Sequence, residues 1–213
     1  ELKKLMNDGY KPTSDWFEKM AKKLKFDKSK ISQELECNFL GSGDNVFDAQ
    51  LTDKIRTEMV RQPQSKMVQN QLWIWKEPVV GHRYIMGVDV SRGDSEDFTS
   101  FQVIDFDERE QVAEFVGKLP PDTMAEICYK WANMYSCFIV IDITGGMGIT
   151  TVRKMQELGY KNLYVDGIDP FNIWAVNKST TEKIPGINFN NKRVQIIAAF
   201  EEWIRHKFKV RSV

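Results

Sequence analysis

Tyr84-Ile85-Met86-Gly87-Val88-Asp89-Val90 alternates within an apolar segment, the pattern of a strand with one buried face. Phe98 to Asp105 and Gln111 to Val116 repeat the pattern, separated by the polar turn Asp107-Glu108-Arg109. Connections this short join antiparallel neighbours, so the three runs predict a meander. Upstream, Leu72-Trp73-Ile74-Trp75 opens the β-rich region.

Downstream the period changes. Pro120-Pro121-Asp122 opens a helix carrying Met124, Ile127, Cys128, Trp131 and Met134. Phe138-Ile139-Val140-Ile141-Asp142-Ile143 is a continuous apolar run, as expected for a strand covered on both faces. A helix from about Met147 to Leu158 stops at Gly159, and Asn162 to Val165 predicts a further strand. After a loop rich in Pro, Gly and Asn, Asn190 or Asn191 caps a helix bearing Val194, Ile197, Phe200 and Ile204. Three meander strands followed by helix, strand, helix and strand is the order of an RNase H-like α/β fold. Its mixed sheet combines an antiparallel three-strand meander with parallel strands, flanked by helices. A doubly wound parallel fold would not begin with two tight hairpins.

Towards the N-terminus the chain reads as a helical appendage. Ser14 is a candidate N-cap for a helix presenting Trp16, Phe17, Met20 and Leu24 on one face. Gly41-Ser42-Gly43-Asp44-Asn45 marks a loop, and residues 46–71, broken by Pro63, read as a linker with partial helix.

Composition excludes more than it selects. The 213 residues carry 30 Lys plus Arg and 30 Asp plus Glu, a balance that neither favours nor opposes nucleic acid. Cys37, Cys128 and Cys137 are odd in number and form no C-x-x-C pair, which speaks for free thiols. No apolar run approaches a membrane span and no leader pattern opens the chain, so a cytosolic protein without membrane partners is expected. No G-x-x-x-x-G-K-[ST] occurs, which leaves ATP hydrolysis without its phosphate loop. His82 and His206 form no ligand-spaced pair, and no G-x-S-x-G elbow supports a serine hydrolase.

Two aspartates stand where strand physics disfavours them. Asp89 and Asp142 each interrupt an apolar run, although aspartate is depleted in strands and an unpaired buried carboxylate is costly. A cap or a lysine partner would account for either one alone. Both together, each before a glycine-containing turn, point to a hard divalent cation such as Mg²⁺, which takes oxygen ligands. Asp97 follows the acidic turn at the first hairpin and returns towards the same edge if that hairpin folds tightly. Asp94 and Glu96 read as solvated turn residues. Thr144-Gly145-Gly146-Met147-Gly148 lies between strand and helix, where backbone N–H groups of Gly145 and Gly146 could approach a phosphate. Basic residues gather at Lys22, Lys23, Lys25, Lys28 and Lys30, and again between Lys192 and Arg211. Lys192 and Arg193, at the start of a helix, are the better DNA-contact candidates.

These residues resemble a known family. Gly87-Val88-Asp89-Val90-Ser91-Arg92-Gly93 followed by Asp97 is similar to the first nuclease motif of bacteriophage large terminases. Phe138 to Gly146 is similar to the second. Gln33-Glu34-Leu35-Glu36-Cys37-Asn38-Phe39-Leu40-Gly41-Ser42-Gly43 resembles the segment joining the terminase ATPase region to its nuclease, and Asn188-Phe189-Asn190-Asn191-Lys192-Arg193 a late helix entry.

The resemblance implies residues 1–45 as the tail of the ATPase connection, 46–71 as linker and 72–213 as nuclease. It implies an endonuclease that cuts concatemeric viral double-stranded DNA, with Mg²⁺ or Mn²⁺ as cofactor. Asp89 would bridge two metals about 4 Å apart, Asp142 would bind one, and Asp97 would be an accessory ligand. Implied partners are an ATPase motor domain of the same polypeptide, the portal protein and a small terminase subunit, at the procapsid portal in the infected bacterial cytoplasm. The family closes its site with a further acid opening a C-terminal helix. No such motif occurs before Val213, so an early C-terminus and weakened cutting are expected. A non-catalytic DNA- or partner-binding module on the same fold is the alternative from another class, and a Holliday-junction resolvase the alternative nuclease.

Overall fold

Alternating burial in the central runs produces the strands that organise the molecule. The computed structural model describes residues 14–26, 31, 49–94, 96–166, 184–190, 192–206 and 208–212. The chain divides into two compact units, Glu1–Glu58 and Met59–Val213.

In the first unit, α1 (Asp15–Lys23) begins at Ser14, whose Oγ accepts the Phe17 N–H at 3.1 Å. Phe17, Ala21 and Ile31 form its small core, while Trp16, expected on the same apolar face, is exposed. Helix α2 (Ala49–Lys54) runs into a π-helical turn, Ile55–Met59. The connection motif around Gln33–Gly43, with Cys37, and the cations Lys28 and Lys30 lie outside the described residues, as do Asn191 and Lys207.

The second unit is built on a six-stranded sheet, β1 (Ser65–Met67), β2 (Leu72–Ile74), β3 (Tyr84–Asp89), β4 (Thr99–Asp105), β5 (Glu110–Gly117) and β6 (Phe138–Ile141), in the order β1-β2-β5-β4-β3-β6. The meander β3-β4-β5 is antiparallel, as its short turns dictate, and β6 joins β3 in parallel after a helical crossover. This is the mixed, helix-flanked α/β sheet expected of an RNase H-like fold. Strand β1 falls inside the stretch read as linker. Its three residues are at most half-buried and carry no alternation long enough to register in the sequence.

One sheet face is closed by α3 (Pro121–Tyr135) and α4 (Met147–Glu157). Met86, Val88, Phe101, Val103, Phe115, Ile139 and Ile141 from the strands share a core with Met124, Cys128, Trp131, Val152 and Met155 from the helices. Burying each large apolar side chain contributes about 1.5–3 kcal/mol before conformational entropy is charged against it. Cys128 and Cys137 are free thiols inside this core. Met134, which the helix carries in step with these apolar positions, is exposed. Strand β6 alternates between half-buried and buried positions rather than being covered on both faces.

Beyond β6 the chain forms isolated parallel bridges, Ile139 with Leu163 and Asp142 with Ile187, in place of the full strand expected at 162–165. Helix α5 (Arg193–His206) follows. It buries Ile204 but exposes Val194 and Phe200.

Residues 208–212 return to β5. Lys209 N donates to Arg109 O at 2.8 Å and its carbonyl accepts from Gln111 N at 3.0 Å. Glu110, only 2% exposed, is paired with Lys76 at 2.5 Å and Arg211 at 2.6 Å. Burial pushes its carboxyl up, but hydrogen bonds from the two cations outweigh this and hold it below the usual glutamate value. Among the described residues, no helix is long and apolar enough to cross a membrane.

Candidate metal centre

The parallel pairing of β3 with β6 sets the site. Val88 lies opposite Ile141, both pointing into the core. The next residue on each strand, Asp89 and Asp142, therefore faces the other way, side by side at the same end of the sheet. The Asp142 N–H donates to Val88 O at 2.9 Å and fixes that level. An aspartate at this strand end does not need a core environment, which is why two apolar runs tolerate it.

Asp97 is brought back by the connection between β3 and β4. Buried Thr99 accepts the Ser91 N–H at 2.9 Å, and the Ser91 hydroxyl donates to Asp97 O at 3.1 Å, folding the loop onto itself. Gly93 (φ 82°) passes so close to the chain before α3 that a Cβ there would lie 2.5 Å from the Leu119 carbonyl carbon. Partial burial, and then the charges of Asp142 and Asp97, raise the Asp89 carboxyl above the usual aspartate value, against a hydrogen bond from the Val90 backbone. Asp89 thus senses both of the other acids. Among the described residues, no three His, Cys, Asp or Glu side chains converge into a ligand cage. A pair of carboxylates with a third acid nearby is nevertheless a hard-oxygen donor set. It fits an ion such as Mg²⁺, which takes one or two carboxylates and completes its shell with water and substrate phosphate.

The Asp142 carboxylate is held by its own turn, Oδ1 accepting the Thr144 N–H at 2.8 Å. Gly146 caps α4 at φ 87°, a left-handed conformation, without a side-chain cap bond. Gly145 has open space around its Cα. The glycine that sterics demand is Gly148, where a Cβ would sit 1.9 Å from Asp142 O. The first turn of α4 is thereby pressed against the end of β6.

A second segment completes the edge. Ile187 N donates to Ile141 O at 2.8 Å, and Ile143 N donates to Ile187 O at 3.0 Å, so residues 186–190 run beside Asp142. Asp142, Thr144, Phe189, Asn190 and Arg193 line a cavity of about 130 Å³. Arg193, at the start of α5, therefore joins Asp142 at this cavity. Lys192, the other cation expected to contact DNA, is ion-paired with Asp166. The stretch holding Phe189 and Asn190 reads in sequence only as a helix entry, and nothing local marks it or Asp166 as site neighbours, because the long-range bridges of Asp142 with Ile187 and Val165 with Gly186 deliver them.

No family model and no curated protein sequence matches the chain. Solved structures do. The large terminase nuclease of thermophilic phage G20c with bound magnesium superposes with a TM-score of 0.56 at 13% identity, covering 81% of this chain and 76% of that one. The cobalt-bound form of the same nuclease gives the same values. The large terminase nuclease domain of Thermus phage P74-26 gives a TM-score of 0.52 at 11% identity, over 76% of this chain and 72% of that one. At such identity the likeness lies in the path of the backbone. The chain has the fold of the nuclease domains of phage large terminases.

Proposed function

We propose that this chain is the nuclease domain of a phage large terminase, an endonuclease that cuts concatemeric viral double-stranded DNA during genome packaging. The observation that carries the reading is the side-by-side placement of Asp89 and Asp142 at one end of the parallel pair β3-β6. The magnesium and cobalt bound to the G20c nuclease support a divalent cation here as well.

Asp89 and Asp142 would hold the cation or cations, with Asp97 as an accessory ligand. When bound, Mg²⁺ or Mn²⁺, in a two-metal arrangement on DNA, supplies the charge stabilisation that in-line phosphodiester hydrolysis requires. The Thr144 N–H holds the rotation of the Asp142 carboxylate through Oδ1, which would orient it for a cation. The backbone at Gly145 and Gly146, bare of side chains, lets the DNA strand approach the start of α4. Arg193 offers its guanidinium to a phosphate beside the carboxylates, and Lys192 adds a weaker contribution while Asp166 holds it. The ATPase motor, portal and small subunit of a packaging machine would be its partners, at the procapsid portal in the host cytoplasm.

The test is conversion of supercoiled plasmid to nicked and linear forms with Mg²⁺ or Mn²⁺. Cutting should vanish in Asp89→Asn and in Asp142→Asn. Undiminished cutting by both variants would refute the assignment.

A further inference from the structure

The Thr144 side chain lies where two halves of the site meet. Its backbone N–H donates to Asp142 Oδ1 at 2.8 Å, and its hydroxyl oxygen accepts the Phe189 N–H at 2.8 Å across 45 positions of chain. Phe189 O in turn accepts the Arg193 N–H at 2.9 Å and the Lys192 N–H at 3.0 Å. One unbroken series of hydrogen bonds thus runs from the Asp142 carboxylate through Thr144 and Phe189 to the residue carrying the guanidinium.

The space between its two ends is the cavity lined by Asp142, Thr144, Phe189, Asn190 and Arg193. Its volume of about 130 Å³ has room for a phosphate group. With Asp142 and Arg193 both among its lining residues, the cavity suits a phosphodiester whose anionic oxygen the guanidinium would meet while Asp142 would hold a cation. The separation of the two residues decides whether both can be engaged at once. Main-chain pairing at Ile187 sets the height of the incoming segment on β6. The Thr144–Phe189 bond carries this registration on towards α5 on the Asp142 side, while the Lys192–Asp166 pair ties the same segment on the other.

We infer that Thr144 is a positioning residue that holds Arg193 at phosphate distance from Asp142. The inference rests on the nuclease reading. Valine is the near-isosteric replacement that removes the acceptor, and serine is the one that keeps it.

The experiment measures binding of a short DNA duplex by fluorescence anisotropy with Ca²⁺ in place of Mg²⁺. It compares the wild type, Thr144→Val, Thr144→Ser, Arg193→Gln and the Thr144→Val/Arg193→Gln double variant. Losing one hydrogen bond in the series should raise Kd about tenfold in Thr144→Val, while the double variant should bind no more than about twofold worse than Arg193→Gln alone. Thr144→Ser should bind like the wild type, and the Phe189 amide should exchange with solvent faster in Thr144→Val than in Thr144→Ser. Wild-type binding by Thr144→Val, or effects that multiply in the double variant, would overturn the inference. If valine prevents folding, Thr144→Ala takes its place, and wild-type binding by it would be equally fatal. Failure of the parent reading looks different: no duplex binding by the wild type, or full plasmid cutting by Asp89→Asn and Asp142→Asn.

Discussion

Replacing Asp89 with asparagine should stabilise the metal-free protein and abolish its stabilisation by metal. Neighbouring strands lie about 4.8 Å apart, so two carboxylates at one level repel by roughly 1 kcal/mol in water-like surroundings and roughly 3 kcal/mol at an effective dielectric of 20. Asp89 keeps contact with solvent even though its carboxyl is partly desolvated, so the lower value applies. A gain of about 1 kcal/mol raises the Tm of a domain this size by about 2–4 °C. The sign with pH follows from the raised Asp89 carboxyl. The native state keeps its proton where the unfolded chain has lost it. Wild-type stability in chelator should therefore fall as pH rises from the usual aspartate value through the raised one, and that slope should flatten in Asp89→Asn. With Mg²⁺ at ten times its Kd the wild type should gain about 1.4 kcal/mol, which the variant should lack. Calorimetric melts of Asp89→Asn, Asp142→Asn and the double variant, with and without Mg²⁺, decide the matter. Because the repulsion belongs to the pair, the double variant should gain no more than either single one. A lower Tm for Asp89→Asn in chelator, or a Mg²⁺ response equal to wild type, would refute the reasoning.

Glu110→Gln should cost about 3 kcal/mol at neutral pH, read from urea unfolding, by leaving Lys76 and Arg211 without their shared anion. Since the Glu110 carboxyl is held low, its contribution is present above the unfolded glutamate value and disappears as pH falls through the folded one. Gly148→Ala should displace the turn after β6, lowering both Tm and plasmid nicking, whereas Gly145→Ala, with open space around it, should leave Tm unchanged. Arg193→Gln should reduce the salt dependence of duplex binding by about one counterion, and Lys192→Gln by less because Asp166 already neutralises that ammonium.

The central sheet was legible because its information is local. Alternation in 84–90 and 98–105 and the polar turn at 107–109 define strands and pairing within about 30 residues, and the helix signals at Pro121 and Gly159 are equally close at hand. Asp89 and Asp142 stood out because they break apolar runs, and the parallel register at Val88 and Ile141 then places them together. What escaped is long-range. Nothing near Lys192 announces that Asp166 will neutralise it, and nothing near Phe189 announces the Thr144 hydroxyl. Helix periodicity also overreached at Met134, Val194 and Phe200. A 3.6-residue repeat identifies a face but cannot say how wide a stripe the neighbouring element covers.

The pairing of Glu110 with Arg211 has a bearing on how the chain is made. The two residues are 101 positions apart, so at ribosomal speeds of about 5–20 residues per second the acid emerges roughly 5–20 seconds before its guanidinium partner. During that interval β4 and β5 can already meet, since their turn spans only a few residues. Glu110 would then face closure of the sheet with Lys76 as its sole cation, and the amide side chain of Gln111 would await Ser212. An early hairpin holding an underpaired charge is easily reopened. The nascent sheet should therefore remain in exchange, accessible to a chaperone or a protease, until residues 208–212 arrive and fasten it.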